Sequence, residues 1–543
     1  MKLLIERKVW IKGTAVVALS ASLVAGCGSD STSAPSASPT ASAGAQATSA
    51  PQPIELSYWV ALTAETAGVL KDYNESLFYQ ELEKKSKVHV NWQHPPVGSD
   101  KEQFNLMIAS GKLPDVIEYN FSTYSGGPEK AIADKVIIPL NDVINKYAPN
   151  LKKYLDEHPQ VKKDVSTDSG NMYVFPAIGI GNTNVTRGLM LRKDWLDELG
   201  LAVPETIDEW TQVLRQFKEK KGAAAPFTME LYSLTSDLFN GAYDIGVAFY
   251  QDNGKVKYGP YEPAYKDYLK QMNAWYKEGL IDQDFATQDG KAIDSKITNS
   301  QAGAVSGYIS GTMSKYLTAM KTSNPKFDLV AAQHPVLKKG SEPKFFLAAY
   351  DYRGTGSAAI TTANKHVAET AKWLDYLYSE EGNNLKTFGV EGKTYTMVNG
   401  QPIYTDLILK NPDGLTSSQA RSKFLRVTSP APGFVSDPRT VAALPSSSAM
   451  PQLSVATEVY NKYYKNVLQT RMPQITELPE EGQEMASIMA EVDTYRKEMF
   501  LKFVMGAESI DNFDKYIQQL KKMKIDRAIE IQQGALDRYN KRG

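Results

Sequence analysis

Cysteine is almost missing from this chain: Cys27 stands alone in 543 residues. One thiol cannot close an internal disulfide, so a disulfide scaffold is excluded. Histidine is scarce as well. His89, His94, His158, His334 and His366 are the full set, and none stands at HExxH or another short metal-ligand spacing. Charge of one sign is missing, since the formal net charge is −1, which leaves no electrostatic footprint for nucleic acid. There is no G-x-S-x-G elbow and no Walker loop. The N-terminal apolar run, Thr14 to Gly26, is about 12 residues, well short of the ~20 that span a bilayer.

What is present begins around that run. Lys2, Arg7, Lys8 and Lys12 precede it and small residues end it, the layout of a secretory signal over residues 1–26. Leu23-Val24-Ala25-Gly26-Cys27 looks like a bacterial lipobox, with cleavage before Cys27 and lipidation of its thiol. Acyl chains there would hold the protein on the extracellular face of the cell membrane. Residues 28–53 are almost entirely Ser, Ala, Thr, Pro, Gly and Gln, too apolar-poor to order, so residues 27–53 read as a flexible tether.

Beyond the tether the chain alternates strands with helices. Ile54, Leu56, Tyr58 and Val60 mark a strand, Leu70 to Lys84 a helix, and Val88 to Gln93 a second strand. A helix opened by Asp100 ends at Gly111, and LPDVIEYN supplies a third strand at 115–119. This β-α-β-α-β opening predicts an α/β fold with a parallel sheet. Arg187 to Leu201 reads as strand then helix, and Thr206 and Asp208 start a helix ending near Gly222. Further strands are expected at 302–310, 344–349 and 357–362, and helices at 265–279, 312–321, 366–378, 485–503 and 512–541. Trp195, Trp210 and Trp275 are expected in cores.

Two motifs are decoys. Gly354-Thr355-Gly356-Ser357-Ala358-Ala359 matches G-x-G-x-x-A, but a strand continues where a phosphate-binding helix would have to begin. Asp282, Asp284 and Asp289 resemble a hard-cation loop without its glycine and bidentate acid, so a capped turn is expected. Glu118, Glu230, Asp244 and Asp351 are candidates for a paired-carboxylate glycosidase.

Several stretches together carry a resemblance: NLMIASGKLPDVIEYN, MYVFPAI, RGLMLRKDWLDELGLAVPETIDEW, WYKEGLIDQDFAT and the tail MFLKFVMGAESIDNFDKYIQQLKKMKIDRAIEIQQ. The chain resembles the lipoprotein solute-binding components of carbohydrate ABC transporters, family 1, of the oligosaccharide and aldouronate type. The resemblance implies a two-lobe periplasmic-binding-protein fold, maltose-binding-protein-like, with ligand in the cleft and no enzymatic activity. It implies a first lobe of 54–187 plus about 336–395, a second of about 188–335, and a mainly helical tail of about 396–543 packing on both. The partners it implies are an oligosaccharide and membrane permease subunits, with a monomer and no cofactor. Many such relatives carry a calcium loop where this chain reads FKEKKGAAAPF, 217–227, which has no carboxylate after Glu219, so no metal is expected there.

Sugars need rings for their apolar faces and polar groups for their hydroxyls. Strand ends here offer Trp59; Tyr119, Asn120, Tyr124 and Lys130; and Tyr350, Asp351, Tyr352 and Arg353. By resemblance to maltose-type proteins, Tyr308 is a stacking aromatic and Glu230 with Tyr232 an acid-x-tyrosine ligand pair. Lys130, Arg192 and Arg353 either meet an acidic sugar such as a uronate or pair with protein carboxylates. The alternatives to a binding protein are a surface glycosidase or lyase and an adhesive lipoprotein.

Overall fold

The alternating residues of IELSYWV fold into strand β1, Ile54–Val60, with Leu56, Tyr58 and Val60 all buried. The computed structural model describes residues 54–181, 184–236, 238–444 and 450–542; the expected signal peptide, Cys27 and the tether lie outside them. In chain order follow β2 (Val88–Gln93), β3 (Val116–Glu118), β4 (Phe175–Gly179), β5 (Arg187–Arg192), β6 (Phe227–Thr228), β7 (Phe249–Asp252) and β8 (Lys255–Tyr258). Then come β9 (Ala304–Tyr308), β10 (Leu329–Ala332), β11 (Tyr352–Ile360), β12 (Tyr395–Val398), β13 (Gln401–Tyr404) and β14 (Gly433–Val435).

Two sheets organise the chain. The first has the order β14-β4-β11-β3-β1-β2 and the second β10-β5-β9-β6. β1 pairs in parallel with β2 and β3, as the β-α-β-α-β opening predicts, while β11 runs antiparallel to β3 and β4. Each sheet has its own core. Leu56, Ile117, Phe175 and Ile360 lie in the first. Leu189, Trp195, Trp210, Phe217 and Trp275 lie in the second. Burial of side chains this large contributes roughly 1.5–3 kcal/mol each. Trp275 also donates from Nε1 to Thr211 Oγ1 at 2.8 Å, so its one polar atom is satisfied.

Register decides which strand ends share an edge. β4 is antiparallel to β11 and β11 to β3, so the carboxyl ends of β1, β3 and β4 lie together, and Tyr352 enters β11 beside Ile178 at that same edge. In the second sheet Arg187 pairs with Tyr308, which puts the start of β5 at the carboxyl end of β9. β10 is antiparallel to β5 and ends there too. The chain crosses between sheets at 180–186, from β4 to β5, and at 333–351, from β10 to β11. Both crossings therefore join the same two edges.

The C-terminal helices bridge the halves. Helices Pro479–Met505, Phe513–Lys522 and Ile525–Asn540 pack Phe500, Phe503, Tyr516 and Ile525 into the second core. Their last turn reaches a segment packed on the first core. There Tyr539 donates to Asp164 Oδ1 at 2.5 Å, Arg538 Nε to Asp168 Oδ2 at 2.8 Å, and Arg542 Nη2 to Asp168 Oδ1 at 2.6 Å. Residues 352–360 and 433–435 both contribute strands to the first sheet.

Some expected elements differ. Residues 344–349 make no strand: their carbonyls instead meet the end of helix Tyr464–Thr470, Lys344 O accepting from Thr470 Oγ1 and Ala349 O from Arg471 Nη1. The expected helix 512–541 breaks at Lys524, whose φ of 63° is left-handed. The 70–84 helix is a 3-10 turn at Tyr73–Glu75 followed by a helix at Leu77–Ser86. The Thr206 start is a full capping box with Glu209.

Candidate functional site

At the first sheet's carboxyl edge lies a cavity of about 410 Å³ lined by Trp59, Asp100, Glu118, Tyr119, Asn120 and Arg426, among others. Its aromatic wall is held in place by packing. Tyr119 stacks on Phe104 with centroids 3.9 Å apart and rings 14° from parallel, and Trp59 meets Tyr119 edge-on at 6.0 Å. Phe104 comes from helix Asp100–Ser110, whose Gly111 C-cap turns the chain back towards β3. Asn120 caps the turn Phe121–Thr123, accepting from Ser122 N at 3.2 Å. A Cβ on Gly354 would lie 2.4 Å from Asn120 Oδ1, so only glycine lets β11 pass there.

Beneath this wall is a buried ion pair. Arg426 Nη2 donates to Glu118 Oε1 at 2.7 Å, Tyr58 donates to Glu118 Oε2 at 3.0 Å, and the guanidinium lies 4.7 Å over the Tyr73 ring. Burial pushes the Glu118 carboxyl up, with Arg426 pulling against it.

The second edge gathers Arg187, Glu230, Tyr232 and Tyr308. Glu230 and Tyr232 follow β6, which is parallel to β9, so both leave the sheet beside Tyr308. Tyr232 and Tyr308 are 51% and 54% exposed, uncommon for rings this large. Arg187 lies between them, its Cζ 4.9 Å from the Tyr232 centroid and 5.8 Å from that of Tyr308.

The crossings meet between the edges. Asn184 Nδ2 donates to Asp351 Oδ1 at 2.8 Å, Arg353 Nη2 to Asn184 Oδ1 at 3.1 Å, and Tyr464 to Asp351 Oδ1 at 3.2 Å. Arg353 lies against Gly179, where a Cβ would meet its Nη2 at 2.6 Å. Burial lowers the Arg353 guanidinium, opposed by Asp351. Tyr350 donates to Met472 O at 2.7 Å under the Arg471 guanidinium.

Not every expected residue joins these groups. Arg192 ends β5 at the opposite edge from Tyr308, where Asp194 holds it at 2.6 Å. Tyr352 is 1% exposed and shares a 3.1 Å hydrogen bond with Tyr173 inside the first core, because alternation along β11 turns it inward. Tyr124 and Lys130 both bind Asp134, at 2.8 and 2.7 Å, and burial with Asp134 pushes the Tyr124 hydroxyl up to about 12. Among the three cations expected near an acidic ligand, Lys130 and Arg192 therefore have carboxylate partners in the protein. The sequence reading missed Arg187, Phe104 and Arg426. Arg187 could have been found from the β5–β9 register, had that pairing been known.

The decoys resolve clearly. Gly354 and Gly356 lie inside β11, so no helix follows them. The Asp282 loop surrounds an ammonium: Lys296 Nζ donates to both Asp282 oxygens, Asp284 Oδ2 and Gln288 Oε1 at 2.7 to 3.0 Å. Among the described residues, no group of three or more His, Cys, Asp or Glu could hold a metal ion, and no helix is long and apolar enough to cross a membrane.

The family of bacterial extracellular solute-binding proteins matches residues 61–384, and the chain belongs to that family. One relative is the fructooligosaccharide ABC transporter substrate-binding protein FusA of Streptococcus pneumoniae serotype 4, 28% identical and covering 98% of each chain. The structure of alginate-binding protein AlgQ2 without calcium ion superposes with a TM-score of 0.67 at 28% identity, covering 90% of this chain and 99% of that one. A Bifidobacterium longum infantis solute-binding protein shares the fold, with a TM-score of 0.72 at 19% identity. The architecture is thus the two-lobe α/β fold of solute-binding proteins, one sheet to each lobe.

Proposed function

We propose that this protein is the substrate-binding lipoprotein of a carbohydrate ABC importer, capturing an oligosaccharide between its lobes and handing it unaltered to a permease. The observation that carries this reading is the topology of the crossings. Segments 180–186 and 333–351 join the Trp59–Tyr119 edge to the Tyr232–Tyr308 edge, so the two ring-bearing half-sites flank one hinge. Seven residues span at most about 25 Å, which keeps the edges near each other. Rings on either side would stack on sugar faces, while Asn120, Glu230 and Asp351 would bond hydroxyls. Closure about the crossings is the hinge motion of this kind of protein.

The names of the relatives support a sugar ligand, since FusA is named for fructooligosaccharide and AlgQ2 for alginate. Of the four carboxylates considered for a glycosidase, Glu118 is tied to Arg426 and Tyr58, and Asp351 to Asn184 and Tyr464. Anchoring through Cys27 and action as a monomer complete the reading. The experiment is a thermal-shift screen of neutral and acidic oligosaccharides, since a ligand of the native form alone raises the melting temperature. A rise with at least one oligosaccharide is expected. No rise with any carbohydrate, for a folded sample, would reject the reading.

A further inference from the structure

Arg187 is 9% exposed, yet it has no carboxylate within ion-pair distance among the described residues. Its Nη2 donates to Ser233 Oγ at 2.9 Å, with Ser306 Oγ at 3.4 Å, and the two serine oxygens are 2.6 Å apart. Nε and Nη1 are buried without any partner, which leaves three of the five guanidinium N–H donors unspent. A buried cation without an anion is costly, and proteins ordinarily pair it. Two other buried arginines follow that rule: Arg426 has Glu118 and Arg192 has Asp194. Arg187 does not, and it stands at the ligand-facing edge of the second sheet rather than in a packed core.

What covers it is also informative. Its partners are two neutral rings, Tyr232 and Tyr308, each about half exposed. Turning either ring aside would open the unspent N–H groups to the gap. A sheath of this kind suits a ligand that carries both a ring face and a negative charge.

We propose that Arg187, with Tyr232 and Tyr308, forms a carboxylate-reading subsite, and that the ligand is an oligosaccharide containing an acidic sugar such as a uronic acid. The guanidinium donates charge-assisted hydrogen bonds to the sugar carboxylate. The tyrosines move to flank the ring that carries it. This inference rests on the proposed function above and narrows its ligand class.

The test titrates the protein calorimetrically with oligouronates, namely oligogalacturonates, alginate oligomers and glucuronoxylan fragments, and with the same oligomers after reduction of their carboxyls to alcohols. At least one acidic oligomer should bind about tenfold or more tighter than its reduced form, weakening as salt rises. Arg187→Gln should bring the two within about threefold, and Arg187→Lys should keep part of the preference. Should Arg187→Gln fail to fold, the wild-type preference and its Tyr308→Ala counterpart decide. Tighter binding of reduced or neutral oligomers, or equal loss of both in Arg187→Gln, would overturn the subsite and leave the sugar-binding reading intact. Absence of binding to any oligosaccharide would overturn both.

Discussion

Arg187 stands across the β5–β9 ladder from Tyr308, and its guanidinium lies beside that ring at 5.8 Å. The pair ties the second sheet's exposed aromatic to the first crossing, because Arg187 is the first residue of β5 after it. Tyr308→Ala removes a half-exposed ring with little core packing to lose. Sugar affinity should fall about tenfold or more while the unliganded melting temperature stays nearly unchanged. Calorimetric titration alongside thermal denaturation reads both.

The Glu118–Arg426 pair predicts a different pattern. Both side chains are almost fully buried and 2.7 Å apart. Removing one partner strands the other, so Arg426→Leu should destabilise by about 3–5 kcal/mol. The Glu118→Gln, Arg426→Leu double variant should lose less than the sum of the two single variants. Denaturant titrations of the four proteins form the cycle, and strict additivity would show that the pair does not couple.

His334 gives the pH dependence. It is buried, stacked on Phe346 at 4.4 Å, and neither ring nitrogen has a partner. Burial holds its pKa down to about 3. In the unfolded chain a histidine titrates near 6.5, so between these values the unfolded state binds the extra proton. The stability linked to His334 is therefore fully present above pH 6.5 and is lost as pH falls towards 3. His334→Phe, which keeps a ring against Phe346, should flatten the decline between pH 6.5 and 4. An identical pH–stability profile would contradict this.

The tail latch is testable by hydrogen exchange. Asp168 accepts from Arg538 and from two nitrogens of Arg542. Asp168→Ala leaves both arginines without that anchor. Amides in the last turns of helix Ile525–Asn540 should exchange faster, with β1 unaffected. Unchanged exchange would mean that the other contacts, Tyr539 on Asp164, Arg538 on Glu481 and Arg542 on Lys163 O among them, hold the helix end without Asp168.

Much of this was readable from local pattern. Strand Val88–Gln93 and the Thr206 capping box are local signals, and the structure keeps them. The position of Tyr119 and Tyr308 at strand ends was legible from the strand patterns alone. What escaped depends on register. Arg187 and Arg192 sit on one strand, and only pairing with β9 decides which end lies beside Tyr308. Tyr352 and Arg353 alternate, so one faces the core and the other Asn184 of the first crossing. Residues 344–349 have strand-like composition, but extended chain without a neighbouring strand makes no ladder.

The most direct test of the clamp is a distance across it. With Cys27→Ser removing the native thiol, spin labels at exposed Lys101→Cys, beside the cavity residue Asp100, and Lys291→Cys, beside the glycine that approaches Glu230, report on both edges. Saturating oligosaccharide should shorten and narrow the measured distance as the lobes close. A bound sugar with the distance unchanged would contradict the account.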